Sequence, residues 1–294
     1  MTSRTWFITG ATSGFGYELT TLLLARGDRV AATGRRMDAL EPLVARYGDR
    51  LWRAHLDVTD ADAIRRVVGE AFAAFGRIDV IVSNAGFGVL GAAEEVSDEL
   101  LRRQIEVNLI GAIQLTRAAV PYLRAQGGGR IVQMSSSGGQ VPDPGMSLYN
   151  ATKFGVEGFF ESVAIELAPF GVEVTLVEPG GARTDFNRNL AVADPIDAYG
   201  TGILGRIRGM LGGDADPDLL RRAVAGDPRK IAGAVADSVE TNPAPRRLTL
   251  GANAYEAIEA ALLERLSALR AQRGLAYGTD ADDVVAERAG APVI

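Results

Sequence analysis

The sequence contains no cysteine and a single histidine, His55. Without cysteine, disulfide bonds and thiol catalysis are excluded, and a reducing compartment is compatible with the chain. One histidine cannot build a histidine-based metal cluster, and no Gly-x-Ser-x-Gly turn is present for a serine hydrolase. We therefore predict neither a metal site nor a hydrolytic triad, and we interpret His55 as a strand residue.

The chain also lacks long apolar runs and clustered basic residues. No run approaches the ~20 apolar residues that a membrane-spanning helix needs. The net charge is −6, and basic residues cluster no further than pairs such as Arg35-Arg36. An acidic chain of this kind is a poor match for nucleic acid. We expect a soluble, cytoplasmic protein without a leader segment, with neither a membrane nor nucleic acid as partner.

Short apolar runs alternate with segments of helical period. The strand-like runs are Thr5–Thr9, Arg29–Thr33, Leu51–Leu56, Val80–Ser83, Arg130–Met134 and Val172–Val177, and the helix-like segments lie near 15–26, 38–47, 61–75, 98–125 and 150–168. Strands separated by helices pair in parallel through right-handed crossovers. The runs show little polar alternation, which is typical of strands buried on both faces. The sequence predicts an α/β fold: a Rossmann-like doubly wound parallel sheet of about seven strands, with helices on both faces.

The pattern changes after about residue 186, within what we predict is a single domain over 1–294. Residues 187–227 are rich in Gly, Asp and Pro yet hold apolar side chains. This favours a helical lid over a substrate pocket, although helices covering a sheet edge explain the same pattern. Asp227-Pro228 is typical of a helix start. Arg247–Leu250 is expected to form the seventh strand, Asn253–Arg270 a helix and 279–294 a loose tail.

A glycine-rich turn, Thr9-Gly10-Ala11-Thr12-Ser13-Gly14-Phe15-Gly16, connects the first strand to the first helix. Glycines let a backbone approach a pyrophosphate, and a helix N-terminus offers unpaired N–H donors. The spacing differs from the usual Gly-x-Gly-x-x-Gly dinucleotide fingerprint, and the Lys-Ser/Thr ending of an ATP-type loop is absent. The turn alone is weak evidence for a nucleotide, and phosphoryl transfer is disfavoured.

Tyr149 and Lys153 are four residues apart, so they project from one face of a helix. A phenol ionises near pH ~10, and a cation beside it favours the phenolate. Ser136 closes the apolar run that ends at Met134, at the strand edge where open α/β sheets place ligands. The three residues predict a proton-transfer site. The same Tyr-Lys spacing also arises by chance as a solvated pair.

These motifs resemble those of the short-chain dehydrogenase/reductase family, in its single-domain branch. The matching motifs are Thr9 to Gly16, Asn84-Ala85-Gly86, Asn108, Ser136 with Tyr149 and Lys153, and Pro179-Gly180 with Thr184. The resemblance spans about residues 4–186. Residues 187–294 match far less specifically, and loosely resemble members that act on steroids, retinoids and other lipophilic alcohols.

The resemblance implies a role for each residue of the proton-transfer site. Tyr149 is expected to act as the general acid or base, and Lys153 to lower the pKa of Tyr149 and bind the nicotinamide ribose. Ser136 is expected to hydrogen-bond the substrate oxygen. Asn108 is expected to hold a water that links Lys153 to solvent. Structural roles are the alternatives, with Asn108 bracing a helix and Ser136 capping one.

The end of the second strand indicates the cofactor. Family members that use NAD place an acid where this chain has Gly34, and Arg35 follows, whose guanidinium suits a phosphate. We therefore predict NADP(H) in preference to NAD, although a solvent-facing Arg35 remains the alternative. The expected cofactor-binding residues are Gly10, Ser13, Gly14, Phe15, Gly16, Arg35, Asp57, Val58, Asn84, Ala85, Gly86, Tyr149, Lys153, Pro179, Gly180 and Thr184.

The predicted activity is an NADP(H)-dependent interconversion of a ketone or aldehyde and an alcohol on a medium-sized lipophilic substrate. The expected apolar lining is Phe87, Val89, Leu90, Val141, Met146 and Phe186. Two alternatives stay open: a dinucleotide-binding sensor or scaffold without turnover, and an epimerase or dehydratase that uses transient oxidation. By analogy with relatives that pair through 98–125 and 150–168, a homodimer or homotetramer is expected.

Overall fold

The computed structural model describes residues 3–186, 189–210, 218, 221, 223–281 and 284. Its strands are β1 (Thr5–Ile8), β2 (Arg29–Gly34), β3 (Leu51–His55), β4 (Val80–Ser83), β5 (Val89–Leu90), β6 (Gly129–Met134), β7 (Val172–Pro179), β8 (Ala191–Val192) and β9 (Arg247–Leu250). Seven of them form one sheet in the order β3-β2-β1-β4-β6-β7-β9, and every pairing is parallel. The predicted fold class is confirmed, including the seventh strand.

The helices connect these strands across the two faces of the sheet. They are α1 (Gly14–Arg26), α2 (Glu41–Tyr47), α3 (Ala61–Phe75), α4 (Asp98–Ile105), α5 (Gly111–Ala125), α6 (Ser147–Leu167), α7 (Gly202–Gly209), α8 (Pro228–Ser238), α9 (Ala252–Ala271) and α10 (Arg273–Tyr277). Asp227 caps α8 as its sequence predicts, because its carboxylate accepts hydrogen bonds from the backbone N–H groups of Arg229 and Lys230.

Each face of the sheet carries its own hydrophobic core. Phe7 of β1 packs with α3, α5 and α6 on one face, whereas its neighbours Trp6 and Ile8 pack with α1 and α8 on the other. All four residues of β1 are buried. Alternate side chains of one strand therefore enter different cores, which explains why the strand sequences lack polar alternation.

The strand order places a crevice at the carboxyl ends of β1 and β4. β2 and β3 lie on one side of β1, and β4, β6 and β7 follow on the other. The crossovers consequently leave β1 in opposite directions, and an open α/β sheet binds ligands where this occurs. The sheet therefore brings the ends of β1, β2, β4, β6 and β7 to one edge.

Three local features differ from the prediction. The segment 98–125 is interrupted by a π-helical turn over Glu106–Ile110, because the chain takes up one extra residue there. α6 begins at Ser147 rather than near 150, so Tyr149 lies in its first turn. β5 and β8 form a separate two-stranded parallel sheet. Each strand has only two residues, which is too short to give a recognisable pattern in the sequence.

The predicted lid segment is partly described. After β8 it contains a 3₁₀ turn over Asp197–Tyr199 and then α7. Residues 187–188, 211–217, 219–220 and 222 lie outside the described part, as does most of the predicted tail beyond residue 281. Among the residues described, no helix combines the length and apolar character needed to cross a bilayer.

Candidate active site

The glycine-rich turn between β1 and α1 is closely packed against the loop after β4. A Cβ atom on Gly16 would lie 2.3 Å from the Gly10 carbonyl oxygen and 2.6 Å from the Asn84 amide nitrogen. Gly10 and Gly14 have φ values of +65° and +52°, a region that disfavours residues with a side chain. No side chains at these glycine positions cover the backbone of this turn, so the N-terminus of α1 is accessible from the crevice.

Asn84 supports this turn through its side chain. Its amide nitrogen donates to the carbonyl oxygens of Thr9 and Gly10, at 2.9 and 3.1 Å. The Thr9 hydroxyl in turn accepts from the backbone N–H groups of Asn84 and Ala85. The first and fourth strand ends are thus held together by reciprocal hydrogen bonds. Asn84 was predicted as a cofactor contact, and the structure also gives it a positioning role.

Arg35 and Asp57 lie at neighbouring strand ends, after β2 and β3. Arg35 is exposed, and its charge acts on Asp57. Burial alone would raise the pKa of the Asp57 carboxyl, but hydrogen bonds from Thr59 and the charge of Arg35 outweigh it and lower that pKa. A Cβ on Gly34 would lie 2.8 Å from the Thr12 methyl group. An acidic side chain at position 34 would therefore displace Thr12.

Ser136, Tyr149 and Lys153 converge at the end of β6. The Ser136 hydroxyl accepts from the Gly138 backbone N–H at 3.1 Å and also hydrogen-bonds Tyr149. The Lys153 ammonium donates to the Met134 carbonyl oxygen at 2.8 Å and lies 5.6 Å from the centre of the Tyr149 ring. Ser136 also caps the 3₁₀ turn over Ser137–Gly139. A catalytic and a capping role are therefore compatible for this hydroxyl.

Burial is the main cause of the shifted pKa values of Tyr149 and Lys153. Burial raises the pKa of Tyr149 to about 12, since the hydrogen bond from Ser136 opposes it only in part and the charge of Asp143 adds to it. Burial lowers the pKa of Lys153 to about 8, although Glu157 favours the charged form. From the sequence we expect a lowered Tyr149 pKa. The groups of the protein itself raise the Tyr149 pKa instead, because Tyr149 and Lys153 both lose hydration where they meet.

Asn108 lies in the π-helical turn, and its buried side chain bonds to protein groups. Its Oδ1 accepts from the Phe87 backbone N–H at 3.0 Å, and its Nδ2 donates to the Phe87 carbonyl at 2.8 Å and to the Thr152 hydroxyl at 3.3 Å. Thr152 precedes Lys153 on α6. The side chain therefore connects the loop after β4 to α6, which is the bracing role that the sequence left open.

Pro179 ends β7, Gly180 and Thr184 follow it, and the three residues complete the edge. A Cβ on Gly180 would lie 2.3 Å from the Asn253 side-chain oxygen, and the Thr184 side chain lies within 4 Å of where a Gly14 Cβ would be. The Thr184 hydroxyl accepts from the Phe186 backbone N–H at 3.2 Å. The Phe186 ring then meets the Tyr149 ring edge to face at 5.7 Å. This loop links the glycine turn to the tyrosine.

One cavity of about 1130 Å³ contains almost all of the predicted site residues. Gly16 and Asn108 do not line it, since Gly16 packs under the turn and Asn108 is buried behind it. Five of the six predicted apolar lining residues are present. The sixth, Val89, is buried in β5 away from the cavity wall, so its assignment was wrong. An alternating strand sends only one of two neighbours, here Leu90, into the pocket.

Several polar residues of the cavity were not predicted individually from the sequence. Arg103, Asp143 and Asn253 line it, and none of them belongs to a motif. The Arg103 guanidinium lies 5.5 Å from the centre of the Phe87 ring. Asp143 was identifiable only as part of the loop between Ser136 and Tyr149, and the cavity position of Asn253 depends on the packing of α9 at the end of β9.

A buried carboxylate holds the segment 189–210 over the cavity. The Glu95 side chain is 0% exposed and forms an ion pair with Arg208 of α7. The same carboxylate accepts from the backbone N–H groups of Ala92 at 2.6 Å and Ile196 at 3.0 Å. The hydrogen bond to Arg208 is the main reason that the pKa of Glu95 falls to about 2. Glu95 therefore stays ionised at neutral pH and connects the β5 loop to two parts of the segment.

A second ionic cluster lies next to the end of β6, beside Ser136. Arg247 of β9 contacts the carboxylates of Glu157, Glu161 and Glu178. Glu157 also accepts from the Ser135 hydroxyl at 2.7 Å, next to Ser136. The available sequence signal was a glutamate, Glu178, near the end of the mostly buried strand β7, together with an arginine at the start of the half-buried strand β9.

The family comparison agrees with this geometry. The family model described as short chain dehydrogenase matches residues 4–194. The chain is 35% identical over 259 residues to oxidoreductase BOA17 of Botryotinia fuckeliana, which covers 86% of this chain and 91% of that protein.

The fold is also similar to solved structures. A short-chain dehydrogenase from Streptomyces avermitilis matches with a TM-score of 0.85 and 38% identity, over 95% of this chain and 99% of that one. A serine dehydrogenase in complex with NADP⁺ has a TM-score of 0.70 and 28% identity, over 84% and 94% of the two chains. The 3-ketoacyl-(acyl-carrier-protein) reductase of Brucella melitensis, in complex with NADH, has a TM-score of 0.70 and 25% identity, over 84% and 95%. The chain therefore belongs to the short-chain dehydrogenase family, whose members are NAD(P)-binding oxidoreductases acting on CH–OH groups.

Proposed function

We propose that this protein is an NADP(H)-dependent oxidoreductase that interconverts a ketone or aldehyde and an alcohol, with Tyr149 as general acid and base. The observation that carries the proposal is that one cavity contains both the bare glycine turn and the side chains of Ser136, Tyr149 and Lys153. A dinucleotide and a second small molecule can therefore be bound side by side. A sensor or scaffold without turnover has no need of these three side chains.

The residues at the edge of the sheet fit a dinucleotide. The turn at Gly10, Gly14 and Gly16 leaves backbone N–H groups at the start of α1 for a pyrophosphate. Asp57, Val58 and the segment Asn84 to Gly86 would border the adenosine. The nicotinamide ring of the bound cofactor supplies or accepts the hydride, and Pro179, Gly180 and Thr184 would border it.

The preference for NADP(H) rests on Arg35. It is exposed at the cavity wall, and its guanidinium can form charge-assisted hydrogen bonds with a 2′-phosphate. An acidic side chain at position 34, which would repel such a phosphate, would have to displace the Thr12 side chain. The solved relatives above hold either cofactor, so the fold by itself does not determine the choice.

Ser136 and Tyr149 would act together on the substrate oxygen. In reduction, the Tyr149 hydroxyl donates its proton to the carbonyl oxygen as that oxygen becomes an alkoxide, while the Ser136 hydroxyl donates a hydrogen bond to it. A Tyr149 pKa of about 12 suits a proton donor, because the phenol stays protonated at neutral pH. Oxidation of an alcohol uses Tyr149 as a base, so it requires that the pKa of Tyr149 fall. Lys153 would bind the nicotinamide ribose and, when charged, favour the phenolate.

The segment 189–210 would act as a substrate lid. Leu190, Ile207 and Met210 of this segment, and Phe186 just before it, bring apolar surface to the cavity that contains Tyr149. The wall is thus mainly apolar on the substrate side, which supports a medium-sized lipophilic substrate. The parallel pairing of β5 with β8 and the contacts of Glu95 fix the position of this segment.

The test is hydride transfer with a panel of ketones and aldehydes, each assayed with NADPH and NADH. We expect turnover with NADPH and a loss of at least about a thousandfold in Tyr149→Phe, with NADPH binding retained because only one of the proposed cofactor contacts is altered. Undiminished turnover in Tyr149→Phe would contradict the assigned role.

Arg35→Ala should weaken NADPH binding by about tenfold or more without affecting NADH binding. Equal loss with both cofactors would remove the basis for NADP(H) preference.

An epimerase or dehydratase that uses transient oxidation gives a separate outcome. It would convert its substrate with no net change in NADPH absorbance. Following both the absorbance and the substrate concentration by chromatography in the same reaction distinguishes the two activities.

A further inference from the structure

The carboxyl-terminal part of α9 and all of α10 are exposed to solvent. Every residue from 262 to 279 is exposed, and the range includes Leu263, Leu269 and Leu275, whose exposed fractions are 63%, 67% and 73%. Helices in proteins gain most of their stability from packing an apolar face against other elements. Helices rich in exposed leucine are therefore expected to be covered by another surface.

The exposed apolar residues of α9 share one flank of the helix. We define the flank by Tyr255, Leu262, Leu263, Leu266 and Leu269, which are 42–67% exposed. Their spacing of three and four residues places them on one side. No other described residue covers this flank. A contiguous apolar patch of this kind marks an interaction site.

The neighbouring flank of α9 fixes how the helix lies on the protein. Ala254 and Ile258 are buried, and the Arg265 guanidinium hydrogen-bonds the Gln140 carbonyl oxygen and stacks on the Phe154 ring at 5.6 Å. α9 is thereby attached along one side, and the leucine flank faces outward. A surface presented in this fixed way is available to a partner without rearrangement.

The charges of the helix are ordered along its length. All of its acidic residues, Glu256, Glu259 and Glu264, precede the basic residues Arg265 and Arg270, and Arg273 follows at the start of α10. Two parallel copies would place like charges at the same level. Two antiparallel copies would place the acidic half of each against the basic half of the other. The helix is thus complementary to itself in the antiparallel direction.

We propose that the leucine flank of α9 pairs with the same flank of a second copy of this chain, antiparallel and about a two-fold axis. With Leu263 at the level of the second copy's Leu266, Glu259 reaches the level of Arg270 and Glu256 that of Arg273. This surface differs from the helices at 98–125 and 150–168 through which relatives pair. The proposal does not depend on the catalytic activity.

The experiment compares molar masses by sedimentation in ~0.15 M salt. One variant carries Glu256→Arg and Glu259→Arg, and the other carries Arg270→Glu and Arg273→Glu. Each variant has like charges along the whole flank, so each is expected at half the mass of the wild type. An equimolar mixture combines an all-basic with an all-acidic flank and is expected to recover the wild-type mass.

A charge change elsewhere serves as the control. Asp49→Arg with Glu70→Arg gives the same change in net charge as the first variant, on exposed residues of other elements, and is expected to keep the wild-type mass. A wild type that sediments as one chain would overturn the proposal, since a segment of its own chain or lipid would then be the occupant. Variants that keep the wild-type mass, or a mixture that stays at half mass, would also overturn it.

Discussion

The glycine-turn edge of the sheet and the segment 189–210, which we propose as the cofactor site and the substrate lid, are held in different ways. At the edge, Gly16 packs directly on the Gly10 carbonyl, and Asn84 hydrogen-bonds the same turn. In the lid, a carboxylate on the β5 loop, Glu95, binds a backbone N–H group and an arginine more than a hundred residues away in the chain. The edge depends on close backbone contact, and the lid depends on a few polar side chains.

This difference bears on how each region can vary. A glycine contact of 2–3 Å leaves no space for any side chain, so the edge allows only one geometry. A lid attached by side-chain hydrogen bonds can change its apolar residues while keeping its anchor. We therefore propose that cofactor binding and substrate choice depend on separate parts of the same cavity.

The largest expected effect is at the edge. Gly16→Ala introduces a Cβ that collides with backbone, and it should destabilise the protein by about 2–3 kcal/mol and weaken NADPH binding by about a hundredfold or more. Gly158→Ala is the matched control, since Gly158 lies in α6 with nothing within 4 Å of its added Cβ. The control should bind NADPH normally and gain up to about 1 kcal/mol. Chemical denaturation and NADPH fluorescence titration measure both quantities. Equal behaviour of the two variants would contradict the close-contact account of the edge.

The second prediction concerns the buried ammonium. The pKa of Lys153 is lowered to about 8 by burial, from 10.5, so the unfolded chain binds the proton more tightly. Wild-type stability should therefore rise as the pH increases from about 8 to about 10.5. Lys153→Met should be inactive yet more stable by about 1–3 kcal/mol near pH 7, with the difference vanishing above about pH 10.5.

Lys230 provides the control for this measurement. It is exposed on α8, and Lys230→Met should leave the free energy of unfolding and its pH dependence unchanged. Loss of the Lys153 ammonium leaves the Met134 carbonyl oxygen paired with the Gln133 side chain. A Lys153→Met protein that is less stable than wild type at pH 7 would show that the ammonium stabilises the fold.

The third prediction tests the lid. Glu95→Gln removes the charge that faces Arg208 within a buried site, so the KM for the carbonyl substrate should rise by about tenfold while NADPH binding stays unchanged. Glu94→Gln is the neighbouring control, because a glutamine oxygen can still accept from the Tyr199 hydroxyl. Steady-state kinetics with each substrate varied in turn measures both variants. A Glu95→Gln effect confined to NADPH would remove the proposed division of the cavity.

The smallest effect is expected at the loop between Ser136 and Tyr149. The charge of Asp143 helps to raise the pKa of Tyr149. Asp143→Asn should therefore move the pH dependence of alcohol oxidation to lower pH, with less than about a tenfold change in kcat/KM at a fixed pH. Asp143→Glu keeps the charge and should keep the wild-type profile. A shift of the Asp143→Asn profile to higher pH would contradict this electrostatic account.

Much of the fold was predictable because its signals are local. The run from Thr5 to Thr9 is apolar and ends in a glycine turn, so it predicts both a buried strand and a phosphate-binding end. The spacing of Tyr149 and Lys153 gives a shared helix face without any knowledge of the sheet. The π-helical turn at Asn108 and the two-residue strands β5 and β8 were not predictable, because they depend on contacts with distant segments.

The parallel sheet, the glycine turn from Gly10 to Gly16 and the order of Ser136, Tyr149 and Lys153 could all be inferred from the amino-acid sequence alone. Each of these follows from backbone geometry or from side-chain period within a short segment. Three features required the folded structure: Asn108 braces α6, Glu95 binds Arg208, and Val89 does not line the cavity. The folded structure also decided the direction of the Tyr149 pKa, because burial is a property of the whole fold and a four-residue spacing cannot report it.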